Sequence, residues 1–484
     1  MNKFTHSISH LSGGKRKDVD MTVGNIPRHL ILFALPLLAG NIFQQLYNTV
    51  DTWVVGNYVS DTAFSAVGGV TPFINMFIGF FMGLSAGAGV VISQLYGAKQ
   101  FSTLSQAVHT SMLMTVFLAV ALTAGGLIIT PQMLHLMKIP AEVLPEAELY
   151  LRIYYTGIPG MVFYNIAASI LRAVGDSRRP FYYLVVTAVV NTVLDLVFVL
   201  VFHMCVEGVA LATVISLYAS AFLAVRCLLR TDSCVKVELK KLRMNWNMLG
   251  KIVKVGVPAA LQMAVTAFAN VFTQSYINSF GKACMGGWTA YSKVDQFLML
   301  PAQSIALSST TFVGQNLGIG QVERTKKGAR IALALSVGCS VLIMIPILLF
   351  PGPIVSFFNG DPEVIDYGIL MLRWITPFYL AFCFNQIYAG VLRGSGDSTG
   401  PTVIMLLSFV VFRQIYMFLI SRAMPGAVVP IIMGYPIGWA LCSLIMLVYY
   451  LRADLTKHRV VEDLPVRQGL TEEQVQGEAP QDED

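Results

Sequence analysis

Long apolar stretches recur along the whole chain, from Leu30 to Tyr450, and short turn-like sequences separate them. A helix needs about 20 mostly apolar residues to cross the hydrocarbon core of a bilayer, and about twelve segments meet that requirement. The pattern therefore predicts an all-α membrane protein with twelve transmembrane helices. Their predicted starts lie near Leu30, Phe64, Ser105, Glu148, Phe181, Gly208, Leu249, Gly286, Gly328, Ile365, Pro401 and Val428.

The composition agrees with a chain that is surrounded by lipid. Of the 484 residues, 55% are apolar and 12% are charged, whereas a soluble domain is typically about 25% charged. This balance excludes a soluble multidomain protein and a disordered chain. The sequence contains no GxxxxGK[ST], HExxH or GxSxG motif, and its seven cysteines form no CxxC pair. We therefore predict neither an enzyme nor a bound cofactor.

The two halves of the chain resemble each other. The pattern LRxxGDSxxP at residues 171–180 recurs at residues 392–401, an offset of 221 residues. A Gln-x-x-Gly turn at residues 94–97 recurs at residues 315–318 with the same offset. Each half holds six spans, an even number, so both halves enter the membrane from the same side. The sequence thus predicts two six-helix bundles related by a pseudo-two-fold axis along the membrane normal.

These features divide the chain into five predicted parts. Residues 30–229 form the first bundle and residues 249–452 form the second. A cytoplasmic connector at residues 230–248 joins them. A cytoplasmic segment, residues 1–29, precedes the first bundle, and a flexible cytoplasmic tail, residues 453–484, follows the second.

The distribution of charge predicts the orientation. We count 25 Lys and Arg residues on the side that holds both termini and four on the opposite side. Because Lys and Arg concentrate in cytoplasmic loops, both termini are predicted to lie in the cytoplasm, with the chain in the plasma (inner) membrane. The same asymmetry explains the net charge of +6 through contact with anionic lipid rather than with nucleic acid.

Polar side chains inside the spans are candidates for function. Gln44, Asn48 and Asp51 are spaced four and three residues apart in the first span, so they share one helix face. Gln262 and Asn270 belong to a similar stripe in the seventh span. Such a stripe faces the bundle interior or a water-filled cavity rather than lipid. We predict that Gln44, Asn48, Gln262 and Asn270 line a substrate cavity.

The carboxylates Asp51 and Asp195 lie inside spans of the first half. A charge at the bilayer centre costs ~2.5–3.5 kcal/mol on insertion scales. A carboxylate at that depth is therefore expected to have a functional or structural role. Asn191 shares a helix face with Asp195, and Thr213 lies at a similar depth, about 9–10 Å from the outer end of its span. Together these four residues form a candidate oxygen cage for a coupling proton or sodium ion. A structural polar network is the alternative.

Asp295 is the third carboxylate inside the spans, and two interpretations of it remain open. It either forms an ion pair with Arg373 or Arg413, or it faces the substrate cavity. Lys293 lies two residues away and therefore does not face it on a helix.

Several of these motifs together resemble the multidrug and toxic compound extrusion (MATE) family of transporters. They are the doubled LRxxGDSxxP pattern, the Gln-x-x-Gly turns, and Pro36 followed by Asn-Thr-Val-Asp at residues 48–51. The resemblance covers residues 27–450. The set of Asp51, Asn191, Asp195 and Thr213 is similar to the DinF-like branch of that family. The NorM-like branch carries an acidic residue in its seventh span, where this chain has none.

The resemblance implies a cation-coupled antiporter that exports drugs or toxic amphipathic compounds from the cytoplasm. It also implies that ion binding bends or reseats the first span at Pro36. We expect a drug or organic cation as substrate, membrane lipid as neighbour, no nucleic acid partner and a monomer. One alternative is a lipid-linked precursor flippase of related architecture, which needs a strongly cationic cavity. Another is a structural or sensory membrane protein, which needs no buried acids.

Overall fold

The computed structural model describes residues 19–59, 61–136 and 142–461. Within these ranges the chain forms twelve long helical spans, which confirms the predicted all-α membrane fold. A short helix, Pro351–Ser356, precedes the tenth span. We label the spans in chain order as α1 Ile26–Tyr58, α2 Asp61–Gly97, α3 Phe101–Leu136, α4 Leu144–Ala173, α5 Arg178–Val201, α6 Val206–Arg230, α7 Trp246–Asn278, α8 Lys282–Gly318, α9 Val322–Leu349, α10 Pro362–Gly394, α11 Thr399–Ala423 and α12 Val428–Arg452.

Eleven of these spans are long and apolar enough to cross a membrane by length and composition alone. The twelfth, α4, carries Glu146, Glu148 and Arg152 near its start. It packs against α2, α3 and α6, which together cover much of its surface. Lipid therefore contacts only part of α4, and packing within the bundle supports a helix that its hydropathy alone would not place in a membrane.

Helix ends extend beyond the apolar runs that predicted them. α7 begins at Trp246, before the predicted start at Leu249. Asn245 caps it, because its side-chain oxygen accepts the backbone N–H groups of Asn247 and Met248 at 3.1 and 3.2 Å. A polar cap of this kind does not contribute to hydropathy. The longest spans, α2 and α8, each contain 37 residues and so exceed the ~20 that the hydrocarbon core requires.

The two bundles meet along α1, α2, α7 and α8. α2 packs against α7 and α8, and α1 packs against α8. At the α2–α7 contact, a Cβ atom on Gly83 would collide with the backbone of Ala260, and one on Gly87 with the backbone of Gly256. Small residues that allow backbones to touch are characteristic of helix contacts in membranes. These glycines therefore hold α2 tightly against the second bundle.

Two spans contain wider, π-helical turns, which the sequence pattern does not reveal. In α5 the π segment is Val197–Val201, which begins two residues after Asp195. In α11 it is Leu407–Phe412, directly before Arg413. The two segments do not occupy equivalent positions in the repeat. π-Turns occur frequently at functional sites, and each of these adjoins a charged residue inside a span.

Candidate functional site

The first bundle places Asn191 and Asp195 in its interior. Both residues are 0% exposed and lie on one face of α5. α5 packs against α1 and α6, the helices that carry Asp51 and Thr213. Among the described residues, neither amide atom of Asn191 has a hydrogen-bond partner. A buried amide left without partners costs about 1–3 kcal/mol, so Asn191 is suited to hold a ligand that supplies the missing contacts.

The other two residues of the predicted cage are positioned less completely. The backbone of Asp51 belongs to α1, but its side chain lies outside the described part of the structure. Thr213 is half-buried, and its hydroxyl donates to the carbonyl of Val209, one turn earlier, at 3.0 Å. The oxygen of Thr213 keeps lone pairs that can accept a proton donor or coordinate a cation. The structure thus brings the three helices of the site together.

The predicted cavity residues lie on α1 and α7. Gln44 and Gln262 are half-buried, and Asn48 and Asn270 are exposed. Asn270 is fixed by the second bundle: its carbonyl oxygen accepts a guanidinium N–H of Arg413 at 2.8 Å and the Tyr435 hydroxyl at 3.4 Å. Its exposed surface therefore belongs to a side chain that is already oriented.

Of the two interpretations left open for Asp295, the ion pair with Arg373 or Arg413 is not found among the described residues. The Tyr291 hydroxyl donates to this carboxylate at 3.1 Å and lies 3.3 Å from the Tyr379 hydroxyl. Arg413 instead bonds to Asn270, and Arg373 is exposed. Both arginines belong to helices that aim them elsewhere, so a hydroxyl rather than a cation contacts Asp295.

Asp295 adjoins an aromatic cluster in the second bundle. Trp288, Tyr291 and Asp295 are spaced three and four residues apart, so they lie on one face of α8. This spacing is visible in the sequence and could have predicted that Asp295 adjoins aromatic residues. Centroid distances of 5.1–6.1 Å link the neighbouring rings. The guanidinium of Arg413 lies 4.4 Å from the centroid of one of them, a cation–π distance. The members are Trp288, Tyr291, Tyr379, Phe382, Tyr435 and Trp439.

Two glutamines form a symmetric contact that the sequence analysis used only as a marker of the repeat. Gln94 donates to the carbonyl of Gly394 at 2.9 Å, and Gln315 donates to the carbonyl of Ala173 at 2.9 Å. The side-chain oxygens accept the backbone N–H groups of Val460 at 2.7 Å and Met21 at 2.9 Å. Every one of these bonds is buried. We call Gln94 and Gln315 the glutamine clamp.

The glutamine clamp lies at the end of the protein where the first and last described residues of the chain, near Met21 and Val460, also lie, and we call it the terminal end. There the Gln-x-x-Gly turns cross: a Cβ atom on Gly97 would collide with the backbone of Gln315, and one on Gly318 with the backbone of Gln94. Only glycine permits this approach. The α2 and α8 helices therefore touch directly at the terminal end.

The α1–α8 contact differs from its repeat counterpart. The positions equivalent to Gly83 and Gly87 are serines, Ser304 and Ser308. Ser308 donates to the carbonyl of Leu30 at 3.1 Å, and Asn41 donates to Ser304 at 3.3 Å. Two hydrogen bonds thus replace the glycine-mediated backbone contact of α2 with α7. These bonds flank Pro36, so α1 is attached on both sides of its proline.

We expect Gln94→Ala to weaken the contact between the two bundles at the terminal end. The substitution leaves a carbonyl and an N–H without partners, at about 1–3 kcal/mol each, and every 1.4 kcal/mol changes a population about tenfold. Spin labels on cysteines at the exposed positions Arg178 and Lys327, one in each bundle, should then report longer and broader distances. Gln100→Ala, on the same turn, is the control and should leave the distances unchanged. Unchanged distances in Gln94→Ala would contradict the role of the glutamine clamp.

The chain is similar to known proteins in both sequence and structure. A family model described as MatE matches residues 36–197 and again residues 258–419. The two matches reproduce the repeat. The "Probable multidrug resistance protein YoeA" of Bacillus subtilis (strain 168) is 29% identical over 431 residues, which cover 87% of this chain and 93% of that protein. The "Probable multidrug resistance protein YpnP" of the same organism is 28% identical over 405 residues, or 84% of this chain and 91% of that protein.

A solved structure has the same fold. It is described as the outward-facing conformation of a multidrug resistance MATE family transporter of the MOP superfamily. The two structures superpose with a TM-score of 0.85 at 21% sequence identity, over 91% of this chain and 98% of the other. The likeness establishes the arrangement of the two six-helix bundles.

Proposed function

The chain belongs to the MatE family of multidrug and toxic compound extrusion transporters, and on that premise we propose that it is a cation-coupled antiporter. It exports amphipathic organic compounds from the cytoplasm in exchange for protons or sodium ions. The observation that carries the proposal is the fully buried pair of Asn191 and Asp195 on α5, next to the helix that carries Asp51. A carboxylate that is fully buried inside a span suits an ion site, because a structural role does not require it.

The coupling ion binds between α1, α5 and α6. Two carboxylates, the amide oxygen of Asn191 and the hydroxyl of Thr213 supply only oxygen ligands, which suit sodium. Without sodium, the two carboxylates share protons, because burial and like charge both favour a neutral form. Either ion removes negative charge from the interior of the first bundle and draws the three helices together.

Ion binding changes the position of α1. The contacts that attach α1 to α8 are the hydrogen bonds of Asn41 with Ser304 and of Leu30 with Ser308, on either side of Pro36. Two such bonds, each worth about 0.5–1.5 kcal/mol, break more readily than the glycine-packed α2–α7 contact. A bend at Pro36 therefore moves the half of α1 that bears Gln44 and Asn48 and reshapes the substrate cavity. The ion drives this change only by its differential affinity for the two conformations.

The proposed orientation places both termini and the connector between α6 and α7 in the cytoplasm. We expect a cysteine engineered at Lys240 to resist a membrane-impermeant thiol reagent in intact cells and to react after permeabilisation, because positive loops stay cytoplasmic. A cysteine at Lys282, at the start of α8, is the matched control on the opposite side and should react in intact cells. Labelling at Lys240 from outside would reverse the orientation.

A transport assay tests the function directly. Purified protein in lipid vesicles should accumulate a fluorescent cationic drug when a pH or sodium gradient is imposed, each gradient separately. The rate should fall to background when an ionophore dissipates the effective gradient, because the antiporter has no other energy source. Accumulation that ignores both gradients would contradict cation coupling.

A lipid-linked precursor flippase is less consistent with the side chains. Its pyrophosphate substrate calls for free cations in a central cavity. Arg413 already bonds to Asn270 and stacks on Tyr435, and Arg373 and Lys254 are exposed. The buried cation Arg413 is therefore already engaged by protein groups.

A further inference from the structure

A groove opens at the terminal end, between the start of α3 and the connector that leads into α7. Its volume is about 750 Å³. One wall is the first two turns of α3, and the other is the chain that precedes and begins α7. The residues that line it include Ser102, Ser105, Gln106, Lys241, Arg243 and Trp246.

Hydrogen bonds hold the walls of the groove in place. The ring of His109 on α3 is anchored to the carbonyl of Ser105 at 2.6 Å through Nδ1, and its Nε2 accepts the backbone N–H of Glu238 at 3.0 Å. Asn245 donates to the side-chain oxygen of Gln106 at 2.7 Å. The connector is therefore fixed against α3, and the groove is formed before any ligand binds.

The groove carries net positive charge. Lys241 pairs with Glu238 at 3.0 Å, and this bond lowers the pKa of the Glu238 carboxyl, so the pair stays ionised. Arg243 lines the groove, and Lys240 lies beside the lining residue Lys241; both are exposed and form no ion pair with any residue that the structure describes. One cation in the lining and one at its edge thus remain for an anionic ligand. A compact anion with several oxygens, such as a phosphate diester, matches their charge.

Exposed apolar side chains continue both walls into the membrane. On α3 the face that lines the groove leads to Phe117 and Val120, which are 63% and 66% exposed. On α7, Trp246 is 76% exposed and leads to Val253 and Leu261, which are also exposed. Trp is enriched where headgroups meet hydrocarbon. Because the chain spans a membrane, these two exposed faces offer a surface on which acyl chains can lie.

We propose that this groove binds the phosphate headgroup of an anionic phospholipid, whose acyl chains lie along the exposed faces of α3 and α7. Basic pockets between transmembrane helices bind lipid headgroups in this way. α3 belongs to the first bundle and Trp246 to the second, so one lipid contacts both. Its binding therefore depends on the relative position of the bundles, whichever substrate the protein carries.

The first test is thermal unfolding of the full-length protein in neutral detergent. Phosphatidylglycerol should raise the unfolding temperature more than phosphatidylcholine does. Lys240→Gln with Arg243→Gln should weaken the phosphatidylglycerol affinity roughly thirtyfold, since each cation contributes about a five- to sixfold step. Arg178→Gln with Lys327→Gln removes the same charge from exposed positions outside the groove and should keep the wild-type response.

Three results would overturn the site. One is a wild-type response in Lys240→Gln with Arg243→Gln. Another is an equal loss in the control pair, which would indicate non-specific attraction to a basic surface. The third is an equal stabilisation by inorganic phosphate, which would identify a soluble anion as the ligand.

A second measurement reports the position of the lipid. Phosphatidylglycerol with brominated acyl chains quenches a tryptophan that it contacts. We expect stronger quenching than with brominated phosphatidylcholine, and we expect Trp246→Phe to remove the difference. Equal quenching by the two lipids in the wild type would contradict headgroup selection at this groove.

Discussion

Asp51→Asn should abolish ion-driven export while leaving the protein in the membrane and folded. Asparagine has nearly the same shape as aspartate, but it cannot exchange a proton or neutralise a cation. It is also cheaper to insert, because the cost of a charge at membrane depth, about 2.5–3.5 kcal/mol, disappears. Loss of transport would thus reflect lost ion chemistry rather than misfolding. The measurement is gradient-driven drug accumulation in vesicles at matched protein levels.

Asp366→Asn is the control for this substitution. Asp366 is an exposed carboxylate in the first turns of α10, outside the proposed site, and its amide variant should transport at the wild-type rate. Drug accumulation near the wild-type level in Asp51→Asn would remove Asp51 from the mechanism. An equal loss in both variants would point to a general effect of surface charge instead.

The sequence predicted the fold because the bilayer imposes a simple rule. Twelve apolar runs and the doubled LRxxGDSxxP pattern were sufficient for the two bundles, since the membrane requires a helix wherever such a run occurs. α4 shows the limit of that rule. Its charged start interrupts the apolar pattern, and packing against α2, α3 and α6 supports the span that the sequence predicted near Glu148.

The sequence predicted those parts of the candidate site whose residues lie close together in the chain. Asn191 and Asp195 are four residues apart, so their common burial follows from helix geometry. The contact of Asp295 with Tyr291, also four residues apart, follows from the same rule, although the sequence left an ion pair with Arg373 or Arg413 and a place in the substrate cavity equally open. In the glutamine clamp, Gln94 bonds to Gly394, which lies 300 residues later in the sequence. No local spacing reveals such a bond, and the motif indicated only the repeat.

The sequence pattern also did not predict the π-helical turns. Neither Val197–Val201 nor Leu407–Phe412 contains a proline or glycine, the residues that most often signal an irregular helix. The turn after Asp195 widens α5 next to a buried carboxylate. Tertiary packing, rather than local propensity, decides where such a turn forms.

Asp195→Asn should cost far more transport than Tyr416→Phe, although the repeat makes the two positions equivalent. Asp195 is 0% exposed and offers a second exchangeable charge. The Tyr416 hydroxyl instead donates to the carbonyl of Pro430 at 3.0 Å. Its loss removes one hydrogen bond, worth about 0.5–1.5 kcal/mol of stability, and no ion ligand. Equal losses in the two variants would contradict a coupling site that is confined to the first bundle.

Drug and ion should also antagonise each other in binding, because linkage is reciprocal: an ion that weakens drug binding is itself weakened by the drug. Drug affinity in purified wild-type protein should therefore change with pH or with sodium by about 5–150-fold, the range of typical coupling energies. The dependence should persist in Tyr416→Phe and flatten in Asp195→Asn, where Asp51 alone retains a more ordinary affinity for its ion. A wild-type affinity that is indifferent to both ions would contradict antiport, since an ion without differential affinity for the two conformations cannot drive the exchange.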